Sequence, residues 1–357
     1  MFKMKTHFLL MFIGLSLLAS QGCKKDNAGD QPVVAHAYDR GVFITSEGQY
    51  PTGAGAVSFY DRATGAVQKD IFRQVNGGPL GNVVQSMEIF DTLAYIVVNN
   101  GGKIEVVSAG TFKSKGTIAG FTSPRYFLGI AGDKAYVSDW ANNVAIVNTA
   151  TRQIVETIPT GTGPEQMVMS GKDVYVVNGG GWDIDSTVTV IDSHTDRVIH
   201  TVKVGKRPTG AVTDGEGNVW VMCSGKGFND FPQAGDTRGH LVRINHSTYA
   251  VDKDIAFLGT VLHPERLTVN KEKTMLYFLY AGGIYQMNIA SHIYDYSVLV
   301  ENGNFYNLGC DPAENVIYAT DALDFQQAGL TYRFKAGDGT LISSFGVGVG
   351  PGNFCFR

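Results

Sequence analysis

The chain has 357 residues, 44% hydrophobic content and a formal net charge of −4. That is an ordinary folded-protein composition, and without a basic stripe it excludes a nucleic-acid partner. Length alone allows two domains, but an unbroken repeat, developed below, argues for one from residue 41 to the C-terminus.

Residues 1–22 read as a secretory signal. Lys3 and Lys5 precede an apolar core at residues 8–19, and small residues precede Cys23. The core is about a dozen residues, too short to cross ~30 Å of hydrocarbon as a helix. Ser20-Gln21-Gly22-Cys23 resembles a lipobox, with Ser20 where Leu is more usual. Cys23 is therefore expected to be acylated and to become the mature N-terminus; the alternative is a plain signal cleaved nearby with Cys23 incidental. The polar residues 23–40 suit a flexible tether between membrane and folded body. Lys24 after the cysteine, rather than Asp, favours the outer membrane.

From residue 41 a phrase recurs about every 45 residues: an apolar stretch, a turn, an aromatic-containing strand, a loop, a strand ending in Asp or Asn, a Thr-containing turn and a last strand. The aromatic anchors are Phe43, Tyr95, Tyr136, Tyr175, Trp220, Tyr277 and Tyr318. The clearest copy, residues 124–161, reads PRYFLGIAG, DKAYVSDW, NNVAIVNTATR, QIVETIPTG, with period-two alternation throughout. No convincing helical period runs over a dozen residues. An all-strand repeat of this length forms one four-stranded blade per copy, so seven anchors imply an all-β, seven-bladed β-propeller at residues 41–357. The first copy lacks its opening strand, and the chain ends in PGNFCFR, an opening strand without continuation. Residues 353–357 are thus expected to be the innermost strand of the first blade, closing the ring and removing two free edges.

In such a ring the loops joining second to third strands share one face with the links between blades. The turns of the opposite face (AGDK, SGKD, TATR, SHTD) are minimal, whereas the first face carries long loops at 46–56, 179–187, 224–240 and 321–331. Extended links at 73–84 and 259–265 add to it. Long loops cost ordering entropy and are commonly functional, which makes this face the candidate binding site. It offers flat apolar surface from Tyr50, Trp140, Trp182, Phe228, Phe231 and Phe325. Arg125, Glu165, Gln166, Arg207, Arg266, Asp321 and Gln326 offer directional hydrogen bonds. Such a mixture suits a sizeable ligand with an apolar body and amide or phosphate edges. Taken singly, Arg125 equally suits neutralising blade-link carbonyls, and Trp140 and Trp182 equally suit packing.

Signals for chemistry are sparse. There is no nucleophile elbow, HExxH, P-loop or CxxC pair. His240 and His246 are six apart, spaced to share one strand face, but two histidines without a third partner read as solvated. Asp183 and Asp185 form a DxD in a Gly-rich loop that reads as a solvated turn rather than a calcium site. Cys223, Cys310 and Cys355 read as buried small hydrophobes rather than disulfides. The reading is of a non-enzyme with no cofactor and no metal site.

VYVVNGG…TVTVIDSHTDRVIHTVKVGKRPTG resembles YVTN-type propellers over residues 41–357. RGVFITSEG, QSM…VVNN, GFTSPRY, EQMV, TDALDFQQAGLTYRF and VGVGPGNFCF together resemble the BtuG-type surface lipoproteins. That resemblance implies a surface lipoprotein that captures cobalamin or a related corrinoid and passes it to a TonB-dependent transporter of the BtuB type. It carries no contact residues with it; those above rest on the loop argument. Two alternatives stand: a propeller holding a glycan, peptide or envelope protein, and a propeller enzyme such as a lactonase or quinone-dependent dehydrogenase. The quinone class usually has eight blades and a repeated tryptophan motif, and this chain has three Trp.

Overall fold

The computed structural model describes residues 37–229, 232–291 and 295–357. The signal segment, the lipobox cysteine Cys23, the tether up to residue 36 and Phe231 lie outside the described residues. Seven four-stranded antiparallel sheets follow one another as blades. The innermost strands of blades 2 to 7 are Val84–Phe90, Pro124–Ala131, Pro164–Ser170, Pro208–Thr213, Glu265–Val269 and Asn307–Asp311. Blade 1 takes its innermost strand, Pro351–Phe356, from the C-terminus, paired with Gly41–Ser46 in the register Phe43↔Cys355. The expected closure is therefore present, and the strand begins two residues earlier than the sequence reading placed it.

Each anchor aromatic lies in the second strand of its blade, and all seven are buried. Five of them also reach a polar partner, Tyr318 by accepting from Arg333 Nε at 2.9 Å within its own blade. Tyr136 donates its hydroxyl to Asp196, Tyr277 donates to the Ala336 carbonyl at 3.1 Å, and Tyr95 bonds the Thr149 side chain. In each of these three the partner belongs to the outer turn of the next blade, so one side chain packs its own blade and bolts it to its neighbour. Trp220 instead bonds Asp214 within its own blade, at 3.1 Å. The Asp or Asn at the end of the third strand in five of the blades has an equally local cause: Asp192 Oδ1 accepts the backbone N–H groups of His194 and Thr195, and Asn245 Oδ1 those of Ser247 and Thr248, with Asp61, Asn148 and Asn288 in the same role. These side-chain caps close the outer turns.

Innermost strands leave one edge facing the axis, and side chains satisfy part of it. Glu88 accepts the Gly129 N–H (2.9 Å), Gln166 that of Ala211 (3.0 Å) and Thr268 that of Cys310 (3.1 Å), each tie crossing to the next blade.

Among the described residues, one α-helix departs from the all-strand expectation. Ile71–Asn76 follows the two-residue outer strand of blade 1, and part of the segment read as an extended link from residue 73 is this helix. Ile71 and Phe72 are buried, and Gly77 at φ 79° ends it. Six residues are too few for a helical period to emerge from the sequence. Cys223, Cys310 and Cys355 are free and buried, and burial pushes the Cys310 and Cys355 thiols up to about 12. They act as apolar filler.

Candidate binding face

The innermost strands of blades 2 to 6 all break register near their first residue, on the face that carries the long loops. The breaks lie between Val84 and Ser86, Pro124 and Phe127, Pro164 and Met167, Pro208 and Gly210, and Glu265 and Leu267. A β-bulge frees the residues within it from the ladder and re-aims their side chains. The bulged positions are Gln85, Arg125–Tyr126, Glu165–Gln166, Thr209 and Arg266. Five consecutive blades thus contribute polar side chains at corresponding points of their inner strands.

Several of these interlock. Arg125 donates Nε to Glu165 Oε2 at 3.0 Å and Nη1 to Gln85 Oε1 at 2.7 Å. Glu165 uses its other oxygen to accept the indole N–H of Trp140 at 3.0 Å, and the Arg125 guanidinium lies 4.3 Å from the Trp140 ring centroid. Trp182 is 96% exposed and meets Trp140 edge-on, with ring centroids 5.7 Å apart. One carboxylate therefore fixes a guanidinium and an indole that together carry an outstanding aromatic plate. A Cβ on Gly163 would lie 2.1 Å from the Gly181 nitrogen, so glycine at φ 56° lets the blade link pass against the loop bearing Trp182.

Arg207 stacks on Phe228 at 4.6 Å. Arg266 donates to the Tyr306 carbonyl at 3.1 Å, and the Tyr306 hydroxyl donates to Glu47 at 2.7 Å. Burial works against the charge on Arg125, yet Glu165 offsets it and the guanidinium is held above its usual range. Arg266 behaves alike, burial being outweighed by Tyr306, Tyr126 and the carboxylates of Glu265 and Glu47. Burial, then Glu47, raises the Tyr306 phenol. Both arginines thus stay charged and partly desolvated, the state in which a guanidinium binds an oxygen acceptor most strongly.

A cavity of about 260 Å³ is lined by Arg125, Glu165, Trp182, Arg207, Phe228 and Arg266, all six anticipated from sequence, together with Thr209. Beside it, sharing Phe228, lies a cavity of about 500 Å³ whose walls include Tyr306 and Phe325. Other expected residues are engaged elsewhere. Gln166 makes the inter-blade tie to Ala211, and Asp321 Oδ1 caps the Leu323 N–H at 2.8 Å. Gln326 accepts from Gln49, and Tyr50 stands 73% exposed on its loop. The sequence reading missed Gln85, Thr209, Tyr306 and Glu47.

His246 lies beyond the end of the His240–Ile244 strand, so the two histidines do not share a strand face as their spacing suggested. His240 instead contacts Asp254 at 2.7 Å. Asp185 accepts from the Thr162 N–H and the Thr187 hydroxyl, both at 2.7 Å, as part of a turn. Among the described residues, no group of three or more His, Cys, Asp or Glu side chains is placed to hold a metal ion, and no helix is long and apolar enough to cross a membrane.

The fold has solved counterparts. Hydrazine synthase of Kuenenia stuttgartiensis matches with a TM-score of 0.60 and 14% identity, over 75% of this chain and 88% of that one. A quinonprotein alcohol dehydrogenase-like protein from Bacteroides thetaiotaomicron matches with a TM-score of 0.66 and 12% identity, over 89% of this chain and 78% of that one. At such identities the likeness is one of fold alone. No curated protein matches the chain. A family model covers residues 40–348, nearly the whole ring, and the chain belongs to that family, described as a domain of unknown function, DUF5074.

Proposed function

We propose that this propeller is a non-catalytic binding protein for cobalamin or a related corrinoid, anchored through Cys23 to the outer membrane and passing its ligand to a TonB-dependent transporter. The observation that carries the ligand class is the bracket Arg125–Glu165–Trp140–Trp182 facing Arg207 and Arg266 across one open cavity. A corrinoid is a flat, largely apolar macrocycle edged by amides, with a phosphate-bearing nucleotide arm. Exposed indole and phenyl faces cover such a ring, and guanidiniums meet amide oxygens or phosphate in bonds of roughly 1.5–3 kcal/mol each. Because Glu165 already orients its two neighbours, little ordering cost remains on binding.

Calorimetry with cyanocobalamin tests the ligand. Heat and a spectral shift of the corrin are expected; neither, at tens of micromolar protein, would sink the corrinoid reading. Cys23→Ser tests the anchor by fractionation. Release from membranes is expected, and continued sedimentation with the outer membrane in high salt would refute acylation.

A further inference from the structure

The larger cavity is a notch in the rim with a topological cause. Blade 6 turns from its second to its third strand through Ala281 and Gly282 alone, closed by the Tyr280↔Gly283 pair. Its neighbours, blades 5 and 7, carry long loops at this position. The low blade between tall ones leaves a gap walled by Phe228 and Leu262 on one side and by Tyr306, Leu323 and Phe325 on the other.

Its chemistry differs from that of the adjoining cavity. No Lys or Arg lines it among the described residues, and Glu265 is its one carboxylate, whereas three arginines line the other. Phe228, Leu262, Leu323 and Phe325 remain 36–60% exposed there, apolar area left open among the described residues. Its lining also offers side-chain oxygen acceptors, the Glu265 carboxylate and the Asn304 amide oxygen.

We infer that the notch is a second subsite, taking an uncharged, ring-bearing arm with hydroxyl or N–H donors, while the body of the same ligand rests on the arginine-walled cavity. The shared Phe228 wall makes the two compartments continuous, and Tyr306 joins them by accepting from Arg266 while lining the notch. The inference rests on the corrinoid reading, in which the arm is the base and ribose of the nucleotide.

Cyanocobalamin has this arm and dicyanocobinamide lacks it, so the pair separates the subsites. Ala281→Trp fills the notch from its exposed floor, and Leu323→Ala strips one wall. Each is expected to weaken cyanocobalamin at least ~10-fold by calorimetry while leaving dicyanocobinamide within ~2-fold, the second ligand reporting that the variant is folded. Arg207→Ala should weaken both. Equal losses for both corrinoids, or no loss for either, would overturn the second subsite and leave the functional reading standing. Binding of neither corrinoid to the wild-type protein would overturn both.

Discussion

Removing residues 353–357 should destabilise the ring strongly. The deletion takes away the pairing of Phe354, Cys355 and Phe356 with Ile44, Phe43 and Val42. It also removes the Asn353 N–H bond to Thr45 and the Arg357 contacts with Asp39, Tyr38 and Gly41. Phe354 and Phe356 sit 5.8 and 5.6 Å from the Tyr318 ring, and Cys355 belongs to the cluster around Phe43. Two partly buried phenyls and a buried thiol are worth about 4 kcal/mol in apolar area. The lost backbone bonds, at ~0.5–1.5 kcal/mol each, add about as much. A loss of about 8 kcal/mol rivals the ~5–15 kcal/mol that holds a typical domain together. With an unfolding entropy of ~2.1 cal/mol/K per residue over about 320 residues, it corresponds to roughly 12 °C. Melting followed by near-ultraviolet circular dichroism reads this directly. A single transition within a degree or two of the full-length protein would refute the closure argument.

Three further outcomes follow from the same contacts. Trp182→Ala with Arg266→Ala should weaken cyanocobalamin at least ~10-fold, or about 1.4 kcal/mol, by calorimetry, while Asp133→Ala on the short-turn face leaves affinity unchanged; equal losses from both faces would sink the site assignment. Glu165→Gln turns an amide NH2 toward either the Arg125 Nε–H or the Trp140 N–H, which now bond its two oxygens. It should cost about 1–3 kcal/mol in urea unfolding, and a variant as stable as wild type would contradict the bracket. Glu88 is raised to about 7 by burial, against the bond from the Gly129 N–H, with the Cys355 thiol nearby. The folded state therefore holds a proton that the unfolded chain releases near pH 4.5, so this stabilisation is full below pH 4.5 and lost as pH rises through 7. Melting of wild type should fall between pH 5 and 8 relative to Glu88→Gln, by up to about 3 kcal/mol. Parallel curves would refute the buried carboxyl.

The repeat was legible because a second strand buried on both faces needs a large apolar anchor in all seven blades, and the outer turn carries an Asx cap in five of them. The candidate face was legible only in part. Arg125 and Glu165 directly follow Pro124 and Pro164, and that proline sits where the bulge begins. Thr209 after Pro208 obeys the same rule and was overlooked as small. Gln85 has no preceding proline, and blade 7 opens without one, so Tyr306 carried no local mark. Gln166 looked like its neighbours in sequence, yet its side chain accepts from the next blade, a choice set by tertiary contact. The notch was invisible for a different reason, since it arises from the shortness of one loop relative to two others.

The bulges also bear on what kind of ligand the mouth suits. A residue inside a bulge is released from the ladder, so its side chain is free to serve the mouth, as those of Arg125 and Glu165 do, or to tie blades, as that of Gln166 does. Here the side chains are Gln85, Arg125, Glu165, Thr209 and Arg266, with Glu47 tied in through Tyr306. Arg125 is matched by Glu165, while Arg207 and Arg266 donate to carbonyl oxygens and keep donors for an oxygen acceptor of the ligand. A ring with donors and acceptors interleaved and aromatic plates above discriminates by hydrogen-bond pattern as well as by charge. Amide groups, which both donate and accept, satisfy such a ring, whereas a sugar phosphate satisfies only its arginines. That favours an amide-edged ligand, the class to which corrinoids and peptides both belong, over a purely anionic one.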